Sequence, residues 1–342
     1  MTQPTEPHGA ALHIIDQASP QSSATTLARI ADRGEPALLL GGTALRRRAA
    51  AAGLDPDRCD FLPVPAGHAG WGVAALRRWF AARPAAAAYP PIHAWSLSVL
   101  GALRWIGRGR GLTLELTQHP DARAMAALGR RPPADLKVHT LGEHLRRQLI
   151  DAGFPAAQTA AVPLLDLQDA RAKIDPARLA LRDAWAVPDD AAVVALLSDP
   201  YTEADIAPAA RVIDFIGHAA GRKLYLLVHP LQSGRRRLQI LLDRYREADR
   251  VLQDARLAAP WQVLAGCDAA LLGTAPAPLA ARYAAAAGLP IVAPDLPAHR
   301  EALADAPRVF FAADAEPKRL AHRLQHGALG FPAVPRVVPA DT

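Results

Sequence analysis

The sequence predicts an α/β protein made of two doubly wound domains in tandem, and three observations lead to that class. Short apolar runs rich in β-formers alternate with longer stretches of helical period along the whole chain, the pattern of parallel sheets whose strands are joined through helices. The rhythm breaks at "LLDLQDARAKIDP" (164–176) and then begins again. A chain of 342 residues, 51% of them hydrophobic, is long enough to fill two cores. The expected division is 1–165 and 166–342, each part Rossmann-like, with a cleft between them and ligands outside the carboxyl ends of the strands.

In the first half the expected strands are "LHIID" (12–16), "ALLLGG" (37–42), "CDFLPV" (59–64), "PIHAW" (91–95), "LTLELT" (112–117), "LKVHT" (136–140) and "TAAVPLL" (159–165). The helical stretches between them include "SSATTLARIADRG", "TALRRRAAAAGL" and "GEHLRRQLIDAGF", and several run into a glycine, the residue that helix C-termini favour. The second half offers the strands "AVVALLS" (192–198), "KLYLLVH" (223–229), "CDAALLG" (267–273), "PIVAP" (290–294) and "RVFFAA" (308–313). Its helices include "PAPLAARYAAAAG" and "LAHRLQHGA", and the Pro-rich tail "FPAVPRVVPADT" reads as irregular chain.

Composition excludes several classes of function. The net charge of +6 comes from arginine clusters at 46–48, 235–237, 77–78, 130–131 and 146–147, which are scattered, and only 5% of residues are aromatic. A nucleic-acid binder gathers its basic residues into one stripe with aromatics interleaved, so none is expected as a partner. Anionic ligands and lipid headgroups stay open. Cys59 and Cys267 lie far apart without neighbouring thiols and read as ordinary buried thiols. The polar start "MTQPTEPHGA" is no signal peptide, and no run approaches the roughly 18 apolar residues of a membrane span, so the expectation is a cytoplasmic protein. Gly41-Gly42 lacks the later glycines of a dinucleotide fingerprint, and no His/Asp metal cluster or pyridoxal lysine motif stands out, so neither metal nor cofactor is expected.

Three stretches carry a family resemblance: "VHTLGEHLRRQLIDAGFPAAQTAAVPLLD" (138–166), "LRDAWAVPDDAAVVALLSDP" (181–200) and "WQVLAGCDAALLGTAPAPLAARYAAAAGLPIVAPDLPAHREAL" (261–303). In order and spacing they resemble the GT-B glycosyltransferases, specifically the retaining family 4 group with its many bacterial polysaccharide and glycolipid enzymes. The resemblance implies transfer of a sugar from a nucleotide-activated donor, held by the second domain, to an acceptor on the first, with retention of configuration and without a metal. Its donor site uses two glutamates eight positions apart, because a carboxylate accepts hydrogen bonds from two vicinal hydroxyls at once. At the matching positions this sequence has Ala275 and Tyr283. Tyr283 is left to stack on a base, to donate one hydrogen bond, or to pack as an ordinary helix aromatic.

The resemblance also implies an Arg and a Lys after the first strand of the second domain, where this chain carries Asp199, Glu203 and Asp205. A carboxylate 4 Å from a phosphate charge costs about 4 kcal/mol at an effective dielectric near 20. Compensation is offered by Ser233, Gly234 and Arg235, which could open a helix whose free N–H groups favour an anion. Thr274, after the strand of the third stretch, joins the donor side, as does Glu301, which matches an acid on a short helix after the donor-site turn. On the acceptor side Ser22 and Ser23 replace a glycine-rich loop, with helix capping as their other reading. His119 ends its strand where it could orient a hydroxyl or act as a base, while His93 matches a family position but reads as structural.

Two further readings stand beside active transfer. A degenerate homologue would keep the scaffold and serve as a binding or regulatory partner, and an epimerase or phosphorylase would use the same scaffold without a dedicated motif here. The basic helices "ALRRRAA" and "LRRWFAA" suggest a peripheral contact with an anionic membrane. Trp79 and Phe80 would either join it or pack inward.

Overall fold

The computed structural model describes residues 11–16, 20–64, 69–82, 91–106, 111–117, 120, 122–163, 165–174, 177–198, 203–220, 223–229 and 250–330. The chain divides into two compact units, Met1–Leu164 and Leu165–Thr342. In the first, the strands are β1 (Leu12–Asp16), β2 (Ala37–Gly41), β3 (Cys59–Pro63), β4 (Ile92–Ala94), β5 (Leu112–Leu116), β6 (Lys137–Leu141) and β7 (Thr159–Val162). They form one parallel sheet in the order β3-β2-β1-β4-β5-β6-β7. Its helices are α1 (Pro20–Arg33), α2 (Thr43–Ala51), α3 (Ala69–Ala81), α4 (Leu97–Trp105), α5 (Ala122–Gly129) and α6 (Glu143–Asp151).

Side chains alternate between the two faces of a strand, so each face builds its own core. Leu12, Ile14, Leu38, Leu40, Leu114 and Val138 face one way, into a cluster shared with α3, α4, α5 and α6. Ile15, Ala37 and Leu39 face the other way, against Leu27 and Ile30 of α1 and Leu45 and Ala49 of α2. Phe80 lies inside the first cluster, 3% exposed, and Trp79 packs on it while donating its indole N–H to Asp60 Oδ2 at 3.1 Å. The two aromatics therefore belong to the packing of α3, the inward of the two alternatives the sequence left open.

The second unit opens with α7 (Leu167–Lys173) and α8 (Arg178–Ala184). Its strands are β8 (Ala192–Leu197), β9 (Leu224–Val228), β10 (Val251–Gln253), β11 (Ala269–Leu272), β12 (Ile291–Pro294) and β13 (Val309–Ala312). They form a parallel sheet in the order β10-β9-β8-β11-β12-β13, the Rossmann order. The helices are α9 (Glu203–Ala220), α10 (Pro278–Ala286), α11 (Pro297–Ala302) and α12 (Pro317–His322), the last running into one π turn at Arg323–Ala328. Edge strand β10 was not among the expected strands: three residues, half-buried or exposed, carry too little pattern to read. Two of the glycine stops are left-handed, Gly153 at φ +103 after α6 and Gly288 at φ +72 after α10. There the next amides fold back onto helix carbonyls, Phe154 N–H to Leu149 O and Leu289 N–H to Ala284 O.

Candidate functional site

An open parallel sheet takes ligands outside the carboxyl ends of its strands, where the strand order reverses. That point lies between β1 and β4 in the first unit and between β8 and β11 in the second.

In the first unit β1 ends at Asp16, and Ser96 follows β4. Ser96 caps α4 by accepting the Val99 N–H at 3.1 Å. A hydroxyl has one donor and two acceptor sites. The Ser96 hydroxyl also acts on the Asp16 carboxylate, favouring its charged form. Burial pushes the Asp16 carboxyl above its ordinary range, and the Ser96 bond opposes this without cancelling it. A shifted acid at the reversal of strand order is the arrangement expected of a working group. The sequence carried one signal for it: "LHIID" ends an apolar strand on a carboxylate.

Ser22 and Ser23 fall inside the first turn of α1, because that helix begins at Pro20. His119 lies outside the described residues. His93 joins a polar network on the sheet face. Its Nδ1 meets Glu115 Oε1 at 2.8 Å, and Arg33 grips both oxygens of Glu115 at 2.8 and 3.1 Å. Burial raises the Glu115 carboxyl, but the bonds from His93 and Arg33 outweigh it and hold it at about 2. Beside it, the Trp95 indole N–H donates to His13 Nδ1 at 3.0 Å, and His13 Nε2 meets Glu35 Oε2 at 2.5 Å. An indole can only donate, so Nδ1 is bare and the proton sits on Nε2: His13 is neutral. Its pKa is lowered, first by burial.

In the second unit β8 runs into Ser198, which is fully buried and donates to Ala275 O at 3.5 Å, while Gly273 N–H bonds Leu197 O at 3.0 Å. These contacts lay the segment after β11 across the end of β8. Thr274 is exposed there, and Ala275 and Pro276 are half-buried. Two residues on, α10 begins with Pro278 at its first position and Ala277 as an N-cap without a side-chain acceptor. No cap side chain uses the first-turn N–H groups, which leaves a positive helix end at the reversal point.

Deeper along α10, Tyr283 is 5% exposed and packs on Trp261, ring centroids 4.9 Å apart. Arg282 is equally buried and fully committed. Its Nε donates to Leu165 O at 2.8 Å, Nη1 to Ala302 O at 3.4 Å, and both terminal nitrogens grip Asp305. Glu301 is half-buried on α11, and the neighbouring His299 fastens that helix to β12 through Pro294 O at 2.9 Å. Ser233, Gly234, Arg235 and Asp199 lie outside the described residues. Glu203 and Asp205 stand in the first turn of α9, where the helix dipole favours acids. Cys267 is buried and Cys59 half-buried; burial, first among the causes, raises both thiols, as expected of inert cysteines.

No family model and no curated protein matches this chain. Solved structures do. HepE from Anabaena, in complex with UDP-glucose, is 17% identical over 92% of this chain and 88% of its own, with a TM-score of 0.67. Sucrose-phosphate synthase from Thermosynechococcus elongatus is 16% identical over 93% and 89%, at 0.65. UDP-N-acetylglucosamine 2-epimerase from Rickettsia bellii is 14% identical over 96% and 90%, at 0.62. At these identities the likeness establishes the fold, which is GT-B.

Proposed function

We propose that the chain is a glycosyltransferase: the second unit binds a nucleotide-activated sugar and the first presents the acceptor. The observation that carries this reading is the reversal point of the second sheet, where Ser198 and the Thr274 segment lead into the uncapped start of α10. A diphosphate suits that helix end. HepE, similar in fold, was solved with UDP-glucose. In the reaction the bond from the sugar's anomeric carbon to the β-phosphate oxygen breaks, the diphosphate keeps the electron pair, and an acceptor hydroxyl oxygen bonds the anomeric carbon. The first-turn amides of α10, with Thr274, stabilise the leaving charge, and Ser233, Gly234 and Arg235 add a second anion grip. Glu301 supports the donor side from α11. The acceptor proton passes to Asp16 or His119, with Ser22 and Ser23 on the acceptor side in the first turn of α1. We take the outcome as retention, without a metal.

The absence of carboxylates at Ala275 and Tyr283 favours a second reading, a degenerate homologue that binds a nucleotide sugar without turnover. The two are separated by adding UDP-glucose, and then other nucleotide sugars, to the purified protein. Binding at a hundredfold excess over Kd stabilises the fold by about 2.7 kcal/mol, which raises Tm. A raised Tm with release of UDP supports transfer or slow hydrolysis. A raised Tm without UDP release supports the degenerate form, and an unchanged Tm with every donor rejects both. Under the transferase reading, Asp16→Asn and His119→Ala identify the proton acceptor: turnover falls by about a hundredfold or more in the correct variant while the Tm shift persists.

A further inference from the structure

We propose that the outward face of α12 and the end of β13 form an anion pocket at the edge of the second sheet, which takes a small phosphomonoester. This does not rest on the transferase reading. An open pocket of about 440 Å³ lies where β13 ends, lined by Ala312 and Ala313 and by the basic side chains of Lys318, Arg319, His322 and Arg323. Sites for small ligands have volumes of this order. In the strand order β8-β11-β12-β13 the pocket stands two strands beyond β11, so it is not the reversal point to which the donor is assigned.

Helical spacing gathers the four basic side chains. Lys318 and His322 are four residues apart, as are Arg319 and Arg323, so they share one exposed face, while Leu320, Ala321 and Leu324 are buried. The π turn that follows α12 holds this segment against β13: a Cβ at Gly327 would lie 2.6 Å from the Phe310 ring, a closeness that only glycine permits. Such π turns gather at functional sites. The His322 ring is steadied by His326, centroids 4.7 Å apart. Charge then selects the ligand. Arg319 lies 3.2 Å from Asp314 and 3.3 Å from Glu316, half-exposed pairs of the kind that contribute little to stability and yield to a stronger anion. Lys318 and Arg323 have no acidic partner among the described residues. Lys318 stands in the first turn of α12, where a cation opposes the helix dipole, so helix stability does not account for it. Cations gathered on one pocket repel until an anion enters. A phosphomonoester brings nearly two charges and three acceptor oxygens, and the methyl groups of Ala312 and Ala313 leave room for its uncharged body.

The test is titration calorimetry of the full chain with inorganic phosphate and with ribose 5-phosphate at low salt, ribose serving as the uncharged control. Both phosphates should bind and ribose should not, with affinity falling as salt rises. The joint variant Lys318→Gln, Arg323→Gln should lower affinity at least about tenfold. Arg46→Gln, Arg47→Gln removes equal charge from exposed positions of the first unit and should leave affinity unchanged. Lys318 and Arg323 are exposed, so Tm should hold; if it falls, Ala313→Leu, which narrows the pocket and keeps every charge, should weaken ribose 5-phosphate in their place. No phosphate binding, wild-type affinity in the Lys318 and Arg323 variant, or equal loss in both joint variants overturns the proposal. Loss of a UDP-glucose Tm shift in the Lys318 and Arg323 variant overturns it too, because the pocket would then belong to the donor site and the transferase reading would stand. Phosphate binding lost only in that variant, in a protein whose Tm no nucleotide sugar raises, upholds the pocket and rejects the transferase reading.

Discussion

The two sheets share a strand order but place their charges in opposite ways. The first carries its polar network on the sheet face: His13, His93 and Glu115 point from neighbouring strands toward Arg33 of α1. In the second, β8, β11 and β12 are wholly apolar and buried, and the ionic contacts gather at chain junctions. Asp268, just before β11, receives Arg178 and Arg182 of α8 and the Val193 N–H. Arg282 fastens α10 to Leu165. The difference teaches that one strand order fixes where ligands enter but leaves open what holds the sheet: titratable groups across one face in the first unit, arginine clamps at the margins in the second.

The largest test of this contrast is Asp268→Ala. It strands the buried Arg182 and the Val193 amide, and should cost the second unit about 3–5 kcal/mol in urea unfolding followed by hydrogen exchange. In the first unit, Glu115 has a folded pKa of about 2 against an ordinary 4.5. A depressed carboxylate stabilises above its unfolded pKa and loses that contribution as pH falls through the folded value. The first unit should therefore lose about 3 kcal/mol between pH 4.5 and pH 2, and Glu115→Gln should abolish that slope. If the slope survives, the network is not its source.

Arg282→Met comes next. With the Leu165 and Ala302 carbonyls left unmet, the second unit should lose about 2 kcal/mol, and amides near Leu167–Lys173 should exchange faster. Smallest is Trp95→Phe, which leaves His13 Nδ1 without its donor and should cost about 1 kcal/mol at pH 7. The His13 pKa is lowered on folding, so its neutral form is the stabilising one. Stability from this group is therefore present above pH 6.5 and falls as pH drops below it. Because Trp95→Phe frees Nδ1 to take a proton, the variant should soften that fall, and an unchanged pH profile would remove His13 from the network.

Much of the fold was legible because strand and helix periods differ and glycine stops are local. "LHIID" and "ALLLGG" became β1 and β2 almost residue for residue, and "GEHLRRQLIDAGF" became α6 with its left-handed Gly153. The site was less legible. Thr274 does stand at the reversal of the second sheet, since its strand was readable. Tyr283 and Arg282 could not be sorted from sequence, because their meaning depends on Trp261, Leu165 and Asp305, which lie 20 or more residues away. Asp16 went unnoticed for the same reason, since Ser96 becomes its partner only when β4 lies beside β1.

By itself the sequence determined the class of fold, the alternation of elements and the residues that stand at 275 and 283, Ala and Tyr rather than carboxylates, because periodicity and residue identity are properties of the chain. Tertiary structure decided which charges are clamps, which acid stands at the reversal of the first sheet, and that Trp79 and Phe80 turn inward while Trp105 stays in water. The physical reason is that burial and hydrogen-bond partnership are set by contacts between residues remote in sequence, and no local pattern encodes them.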